Sequence, residues 1–209
     1  ANLIKNSKKP ILYVGGGIIH SKANKELFDL AAICNLPVVT TLMGRGAFPD
    51  GHELCLEMPG MHGNYTATTS IQKSDLLIAI GVRFDDRVTA NPSFFAQNAK
   101  VIHADIDPAE IGKVREAQVP IVGDAKSVIL GLIDALQDEE LDTKNWINEL
   151  NSMKTEHPLS YNQDENGPLK VPFVLEELQD LTEEGAIVVS GVGQHQMWIS
   201  QHWNFTEPN

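Results

Sequence analysis

Two arginines and two aspartates crowd into the segment GVRFDDRVTA, residues 81–90, directly after the apolar run DLLIAI. Such a run is typical of a fully buried strand. The guanidinium groups of Arg83 and Arg87 are suited to bidentate hydrogen bonding with a pyrophosphate. Asp85 and Asp86 can cap the following turn or hold the arginines in place, and the alternative without a ligand is an internal salt-bridge cluster. The position at a strand end favours an anion-binding site.

Other apolar runs also end in residues suited to ligand contact. The run ILYV leads into Gly15–Gly17, which permits close backbone approach but lacks the dinucleotide fingerprint, because His20 stands at its third small position. The run PVVT leads into the glycine-rich loop 40–52, whose threonine hydroxyls can contact a ring or a phosphate. In ADIDP, Asp105 can bind a ribose hydroxyl, and Asp107 can simply begin a turn. The alternative without a ligand is a tight turn at Gly15–Gly17 and an ordinary loop at 40–52.

Three further segments have the composition of a ligand site. The methionines and His62 of MPGMHG, residues 58–63, precede a helix start, and soft thioethers suit a flat aromatic ring, although plain packing is equally compatible. Asp124 of the pair GD after the fifth run contacts an adenine edge or, as we favour, caps a helix. The stretch SGVGQHQMW, residues 190–198, places amides and an imidazole at a helix start, where a diphosphate can bind.

The elements that must position these residues alternate between buried strands and amphipathic helices. This pattern predicts an α/β fold with a doubly wound parallel sheet and helices on both faces. Ligands of such sheets bind outside the carboxyl ends of the strands, where the segments above lie. The predicted strands are 11–14, 37–40, 76–80, 100–107 and 119–122, and the predicted helices are 21–35, 64–73 and 126–136.

The composition changes after the fifth strand and its helix. We predict a first domain at 1–140, a linker with a surface helix at 141–170, and an incomplete second-domain segment at 171–209. The last segment contains a predicted helix at 171–181 and a predicted strand at 186–190. Because one strand and one helix cannot bury their own faces, we expect this segment to be displaced or partly disordered. The first residues look like a cut inside a longer chain.

The overall composition excludes several classes of function. The 209 residues are 42% hydrophobic and 21% charged, as in ordinary globular proteins. A net charge of −12 argues against nucleic acid or an anionic membrane as partner. The two cysteines show no zinc-ligand spacing, so we expect no structural metal, and they fit the reducing cytoplasm. No apolar run approaches the roughly 20 residues that span a bilayer.

Seven motifs occur in a fixed order along almost the whole chain: GGG, TTLMGRGAFP, PGMHG, LLIAIGVRFDDRVT, HADIDPAEI, GDA and VGQHQMW. This set resembles the catalytic subunits of acetolactate synthases, which depend on thiamine diphosphate. The resemblance implies a Rossmann-like, FAD-binding middle domain followed by the start of a thiamine-diphosphate domain. It also implies the family reaction, in which pyruvate is decarboxylated and its two-carbon unit is joined to pyruvate or 2-ketobutyrate, for branched-chain amino-acid biosynthesis.

The resemblance assigns two sets of cofactor contacts. It implies FAD contacts from Gly16, Gly17, Thr40, Thr41, Leu42, Met61, His62, Gly81, Arg83, Asp85, Arg87, Val88, Asp105, Ile106, Asp124 and Ala125. It implies contacts with the phosphates of thiamine diphosphate from Val192, Gly193, Gln194 and His195. No catalytic residue and no metal ligand is assigned, because the family's activating glutamate and its magnesium (Mg²⁺) segment have no counterpart in this sequence. We therefore expect the chain alone to be inactive.

The sequence departs from the family pattern at two places and leaves other functions open. Ser190 and Gly191 stand where a Thr-Asp pair is usual, and Ala90 stands where glycine is usual. The resemblance implies a homo-oligomer, allows for a regulatory subunit, and names 2-keto acids as substrates of the full enzyme. The alternatives are another thiamine-diphosphate enzyme, such as glyoxylate carboligase or oxalyl-CoA decarboxylase, and a non-catalytic nucleotide-binding module that acts as a regulator.

Overall fold

A computed structural model describes residues 1–183 and 185–208 of the chain. Strands and helices alternate through its first two thirds, and helices alone follow. The strands are β1 (Pro10–Val14), β2 (Val38–Thr40), β3 (Leu76–Ile80), β4 (Lys100–Asp105) and β5 (Val119–Val122). The helices are α1 (Asn2–Lys5), α2 (Gly16–His20), α3 (Asn24–Cys34), α4 (Tyr65–Lys73), α5 (Asp86–Thr89), α6 (Ala125–Leu136), α7 (Lys144–Glu156), α8 (Val171–Leu181) and α9 (Gln194–His202).

The five strands form one sheet in the order β2-β1-β3-β4-β5, and every neighbouring pair is parallel. All carboxyl ends therefore meet at one edge of the sheet. The chain winds outward in one direction from β1 to β2 and in the other from β3 to β5, so the direction of winding reverses between β1 and β3. A crevice at such a point is where doubly wound sheets bind ligands. The predicted fold class is confirmed.

Each face of the sheet packs against its own helices. Leu12, Ile78 and Ile102 are in register across three strands and belong to one buried cluster, which includes side chains of α3 and α6. Tyr13 and Ala79, one residue further along their strands, belong to the other cluster, which includes side chains of α4 and α7. The alternation places helices on both faces, as the strand pattern predicts.

The predicted helix at 21–35 corresponds to α3, which begins three residues later, at Asn24, and a short helix that was not predicted, α2, precedes it. Between α2 and α3 the chain turns at Lys22, which has a φ of 53°, so a right-handed helix cannot continue through it. The second helix ends at Asn35 in the left-handed conformation, with φ 48° and ψ 50°, a position that asparagine tolerates well. The turn at Lys22 therefore explains why α3 begins later than predicted.

The segment that we predict as a linker contains a helix packed into the sheet core. Trp146, Leu150 and Met153 of α7 are buried against the α4 side of the sheet. The Trp146 Nε1–H donates a hydrogen bond to the carbonyl oxygen of Pro10, 3.1 Å away. Residues 158–170 contain no helix or strand. The domain boundaries remain a prediction, but α7 packs as part of the first unit.

The predicted strand at 186–190 is wrong. These residues form no strand in the structure, and Ile187 and Val189 are 87% and 88% exposed. A strand needs a neighbour for its backbone hydrogen bonds, and the described chain supplies none to this segment. Within the described residues, no helix is both long and apolar enough to span a membrane.

The C-terminal helices are packed, contrary to the expectation of a displaced segment. Helices α8 and α9 pack against each other. The Phe205 N–H donates to Asp50 Oδ2 at 2.8 Å, and the Asp50 N–H donates to the Phe205 carbonyl at 3.0 Å. The side-chain amide of Gln201 donates to the His62 carbonyl at 2.8 Å. These contacts tie the C-terminal segment to two loops of the first unit.

Gly17→Ala is predicted to destabilise the fold. A Cβ atom at Gly17 would lie 2.6 Å from the Gly81 Cα, a backbone atom that cannot rotate away. Overpacking of this kind costs about 1–3 kcal/mol. We expect the free energy of unfolding, measured by urea denaturation, to fall by that amount. The matched control is Gly51→Ala, where a Cβ would meet nothing within 4 Å, and that variant is expected to be neutral or slightly stabilised.

Ala90→Gly is predicted to stabilise the fold. Ala90 adopts φ 49° and ψ −109°, a conformation that is strained for any residue with a Cβ. Glycine relieves the strain at some entropic cost, so we expect a net gain of about 0.5–1 kcal/mol in the free energy of unfolding. Ala32→Gly, on the exposed side of α3, should lose about 0.5–1 kcal/mol in the same assay. Equal losses in both variants would contradict the strain at Ala90.

Candidate cofactor-binding site

The floor of the crevice is made of backbone from the β1 and β3 ends. The Gly15 N–H donates to the Ile80 carbonyl and the Gly17 N–H to the Gly81 carbonyl, each at 3.3 Å. The Gly81 N–H in turn donates to the Ala104 carbonyl at 2.8 Å, which links the β4 end. Gly81 has a φ of 62°, which glycine adopts without strain. The glycines therefore let the strand ends pack backbone against backbone.

The charged segment after β3 presents one arginine without a carboxylate partner. Asp85 caps α5, and its Oδ1 accepts a hydrogen bond from the Arg87 N–H at 2.9 Å. That bond is the main reason why the pKa of Asp85 lies below its ordinary value. Arg87 Nη1 lies 3.2 Å from Asp86 Oδ2 in an exposed ion pair. Arg83 is exposed and has no ion-pair partner in the part of the chain that the structure describes.

Large apolar side chains stand exposed around the crevice. They follow β2 or β4, end β5, or lie in the loop before α4: Leu42, Met43, Met61, Ile106 and Val122, with exposures of 42%, 70%, 65%, 71% and 60%. Clustered apolar exposure of this kind marks binding surfaces in soluble proteins. Together with an unpaired guanidinium, these side chains suit a ligand that combines flat rings with an anionic group.

The loop before α4 lies against the charged segment. The Met61 N–H donates to the Arg87 carbonyl at 2.9 Å. A Cβ at Gly60 would lie 2.6 Å from the same oxygen, so the two backbones touch there. The structure thus brings Met61 and His62 next to Arg87 and Val88, although these pairs are about 25 residues apart in the sequence. His62 is half-buried.

The aspartates after β4 and β5 organise their own turns. Asp105 Oδ1 accepts a hydrogen bond from the Asp107 N–H at 2.9 Å. Asp124 Oδ1 accepts one from the Ser127 N–H at 3.2 Å and caps α6, as favoured above. Ala125, the first residue of that helix, is buried. Neither hydrogen bond uses the second carboxylate oxygen of its aspartate.

Thr40 is placed differently from the simplest sequence interpretation. Its side chain is fully buried, and its hydroxyl accepts a hydrogen bond from Arg45 Nη1 at 3.3 Å, so it does not face a ligand. Arg45 Nη2 also lies 2.5 Å from Asp50 Oδ2 in a buried ion pair. Burial raises the pKa of Asp50 to about 6, despite the opposing effect of Arg45. Thr41 is half-buried and stands next along the loop.

Among the described residues, the predicted thiamine-diphosphate contacts form no hydrogen bond with the loops around the crevice. Val192 is 95% exposed, and Gly193 caps the N-terminus of α9. The His195 ring folds back toward Gly193, whose added Cβ would lie 3.0 Å from its Cε1. Within the described residues, no hydrogen bond joins Val192, Gly193, Gln194 or His195 to the loops at the sheet edge.

Two features of the site were missed in the sequence. Met43 is 70% exposed, and its carbonyl lies 3.2 Å from where a Gly16 Cβ would stand, so it borders the crevice between the glycine turn and Leu42. Its place between Leu42 and Gly44 in the loop was a usable signal. The Arg45–Asp50 ion pair had no such signal, because charged residues in a glycine-rich loop are usually solvated.

Residues 1–132 match the family described as thiamine pyrophosphate enzyme, central domain. The chain is 51% identical over 212 residues to an acetolactate synthase of Mycobacterium leprae, covering 100% of this chain and 34% of that protein. It is 48% identical to the acetolactate synthase large subunit of Corynebacterium glutamicum (99% and 33% covered) and 44% identical to the chloroplastic acetolactate synthase of Arabidopsis thaliana (99% and 31% covered).

The chain thus spans about a third of the length of the curated relatives that it matches. The family match covers all five strands, the glycine turn and the charged segment. The parallel sheet, the crevice at the point where its winding reverses and the sequence match agree with one another. The chain therefore belongs to the thiamine pyrophosphate enzymes and contains their central domain.

Proposed function

We propose that this chain is the central segment of the catalytic subunit of an acetolactate synthase. The observation that carries the proposal is the identity of 44–51% to acetolactate synthases along 99–100% of the chain. The similarity extends beyond the central domain to the segment around VGQHQMW, which a match confined to a common nucleotide fold would not include. The full protein would decarboxylate pyruvate and join the two-carbon unit to pyruvate or 2-ketobutyrate, in branched-chain amino-acid biosynthesis.

In this proposal the chain's own residues bind and orient cofactors and perform no bond-breaking step. Thiamine diphosphate, when bound with Mg²⁺, supplies the carbanion chemistry of the reaction. Val192, Gly193, Gln194 and His195 would contact its phosphates from the start of α9. We assign the magnesium ligands, the subunit interface of a homo-oligomer and any contact with a regulatory subunit to the remaining two thirds of the protein. The free, buried thiols of Cys34 and Cys55 are consistent with a cytoplasmic location.

FAD is the proposed ligand of the crevice at the sheet edge. Its pyrophosphate suits the guanidinium of Arg83, which has no carboxylate partner among the described residues. Its flavin and adenine rings suit the exposed apolar side chains, above all Met61 and Ile106. Asp105 retains one carboxylate oxygen for the adenosine ribose. FAD carries out no net redox change in the proposed reaction and is held as a structural group.

The alternatives differ in the ligand of the crevice and in the use of α9. The central domain of an oxalyl-CoA decarboxylase would bind ADP in place of FAD. A glyoxylate carboligase would bind FAD but join different substrates. A regulatory nucleotide-binding module would have no evident use for the Gly-Val-Gly turn before α9. The identity to acetolactate synthases along the whole chain favours the first proposal over all three.

FAD is predicted to bind with an affinity that depends on Arg83 more than on Arg87. Arg87 already pairs with Asp86, whereas Arg83 forms no ion pair with any residue that the structure describes. A hydrogen bond to a charged group contributes about 1.5–3 kcal/mol, so Arg83→Ala should weaken binding by about tenfold or more. Arg87→Ala should weaken it less. The measurement is quenching of flavin fluorescence on titration of the protein into FAD.

Lys100→Ala is the matched control for these variants. It removes the same charge at the amino end of β4, on the opposite edge of the sheet. A loss of affinity equal to that of Arg83→Ala would mean that net charge, not the crevice, governs binding. ADP that binds as tightly as FAD would favour the oxalyl-CoA decarboxylase type.

A chimeric enzyme tests the proposed reaction. The matching third of the Corynebacterium glutamicum large subunit is replaced by this chain, to which it is 48% identical. We expect acetolactate from pyruvate when thiamine diphosphate, Mg²⁺ and FAD are present, and none from the chain alone. The chimera with Arg83→Ala should require more FAD for the same rate. A folded, FAD-binding chimera without acetolactate formation, or turnover by the chain alone, would contradict the proposal.

A further inference from the structure

The exposed arginine of the segment after β3, Arg83, stands between two buried side chains. Val82 and Phe84 are each 2% exposed, whereas Arg83 between them is exposed. Phe84 has a φ of 53°, a conformation that is unfavourable for a residue with a Cβ and persists only where surrounding contacts hold it. The chain therefore leaves β3 in a constrained path that turns the backbone around Arg83.

A buried histidine reaches this path from the neighbouring strand. His103 lies in the middle of β4 and is fully buried. Its Nε2 is 2.9 Å from the carbonyl oxygen of Val82, and since a carbonyl only accepts, Nε2 carries the proton. The β3–β4 ladder stops at Ile80, so this bond extends the pairing of the two strands two residues further. His103 Nδ1 is buried without a partner among the described residues, so the ring's one hydrogen bond goes to Val82.

The ring of Phe84 packs against the same histidine. Tyr13, Ala79 and His103 are in register across β1, β3 and β4 on one face of the sheet. The small Ala79 leaves space between the two rings, and Phe84 packs there edge-on, with centroids 5.6 Å from Tyr13 and 5.0 Å from His103. A third edge-on contact joins Phe84 to Phe95 at 6.1 Å. Packing and one hydrogen bond thus hold the residues on both sides of Arg83.

We propose that His103 is a positioning residue for the anion site: its hydrogen bond to Val82, with Phe84 packed on its ring, holds the backbone that presents Arg83 to the ligand. His103 touches no ligand atom in this arrangement and acts through Val82. The proposal rests on FAD as the ligand only for its binding readout, because the order of the segment 81–90 can be measured without any ligand. A merely structural core histidine would affect stability and loop order alike.

The test compares two substitutions that fill similar space. His103→Gln retains an N–H donor at a similar reach, whereas His103→Leu retains the apolar contact and removes the donor. We expect His103→Leu to speed hydrogen exchange of the amides at 82–88 by about tenfold and to weaken FAD binding by a similar factor. His103→Gln should remain within about twofold of the unsubstituted protein in both measurements. His103→Met serves in place of the leucine variant if that variant does not fold.

A matched control separates positioning from stability. Ile102→Val removes one methylene from the adjacent residue of β4, which belongs to the cluster on the opposite face. It should lower the urea midpoint without changing FAD affinity or exchange at 82–88. If His103→Leu binds FAD normally with a protected loop, the proposal fails. Equal losses in the glutamine and leucine variants would also overturn it, because packing alone would then be responsible.

The same data distinguish failure of the ligand assignment from failure of the positioning role. If the unsubstituted protein binds no FAD, the proposed cofactor is wrong. Faster exchange at 82–88 in the leucine variant and its rescue by glutamine would still support His103 as the residue that orders the loop. Unchanged exchange in the leucine variant would overturn the positioning role whether or not FAD binds.

Discussion

The contact on which this molecule depends is that of two backbones, where the turn after β1 meets the turn after β3. Gly17 and Gly81 approach so closely that a Cβ on either would lie 2.6 Å from the Cα of the other. This contact joins the ends of β1 and β3, where the winding of the sheet reverses, and leaves the space above it for a ligand. The glycine turn is therefore needed by the protein's own packing first, and ligand approach is a consequence of the crevice that this packing creates. The backbone contact alone therefore explains why this turn is rich in glycine, although the turn lacks the spacing of the dinucleotide-binding motif.

The strands and the class of fold could be predicted because β1 and β3 are short, continuous apolar runs, which are typical of a sheet that is covered on both faces. The exact start of a helix could not be predicted. Lys22, with a φ of 53°, places the start of α3 at Asn24, three residues after the predicted start. The residues 186–190 show the opposite error, because their β-branched composition indicates a strand while no described neighbour offers it hydrogen bonds. The local sequence pattern indicates the preference of a segment for a strand, but a strand forms only where a neighbouring strand can pair with it.

For the site, the sequence indicates which strand ends carry polar residues, and the parallel fold then brings those ends to one edge. What it does not indicate is which of these side chains are already engaged. Thr40 is occupied by Arg45, and Asp85 and Asp124 cap helices, so part of the polar content serves the protein itself. The partners of Arg45 and His103 are contacts that depend on the finished packing. No spacing rule predicts that a histidine on β4 forms a hydrogen bond with the backbone beyond the end of the neighbouring strand β3.

Because the segment after β3 has no net charge, its ability to bind an anion depends on how its backbone positions the charged side chains. Two arginines and two aspartates sum to zero, and the protein as a whole carries −12, so no net positive field draws an anion to the crevice. Asp85 binds the backbone of its own turn and Asp86 pairs with Arg87, which leaves the guanidinium of Arg83 as the exposed cation of the segment. In a protein with a negative net charge, a single arginine binds an anion well only if its backbone is already ordered. The entropy cost of ordering a mobile arginine would otherwise cancel much of the favourable free energy of binding. Buried Val82 and Phe84 on either side of Arg83 provide that restraint.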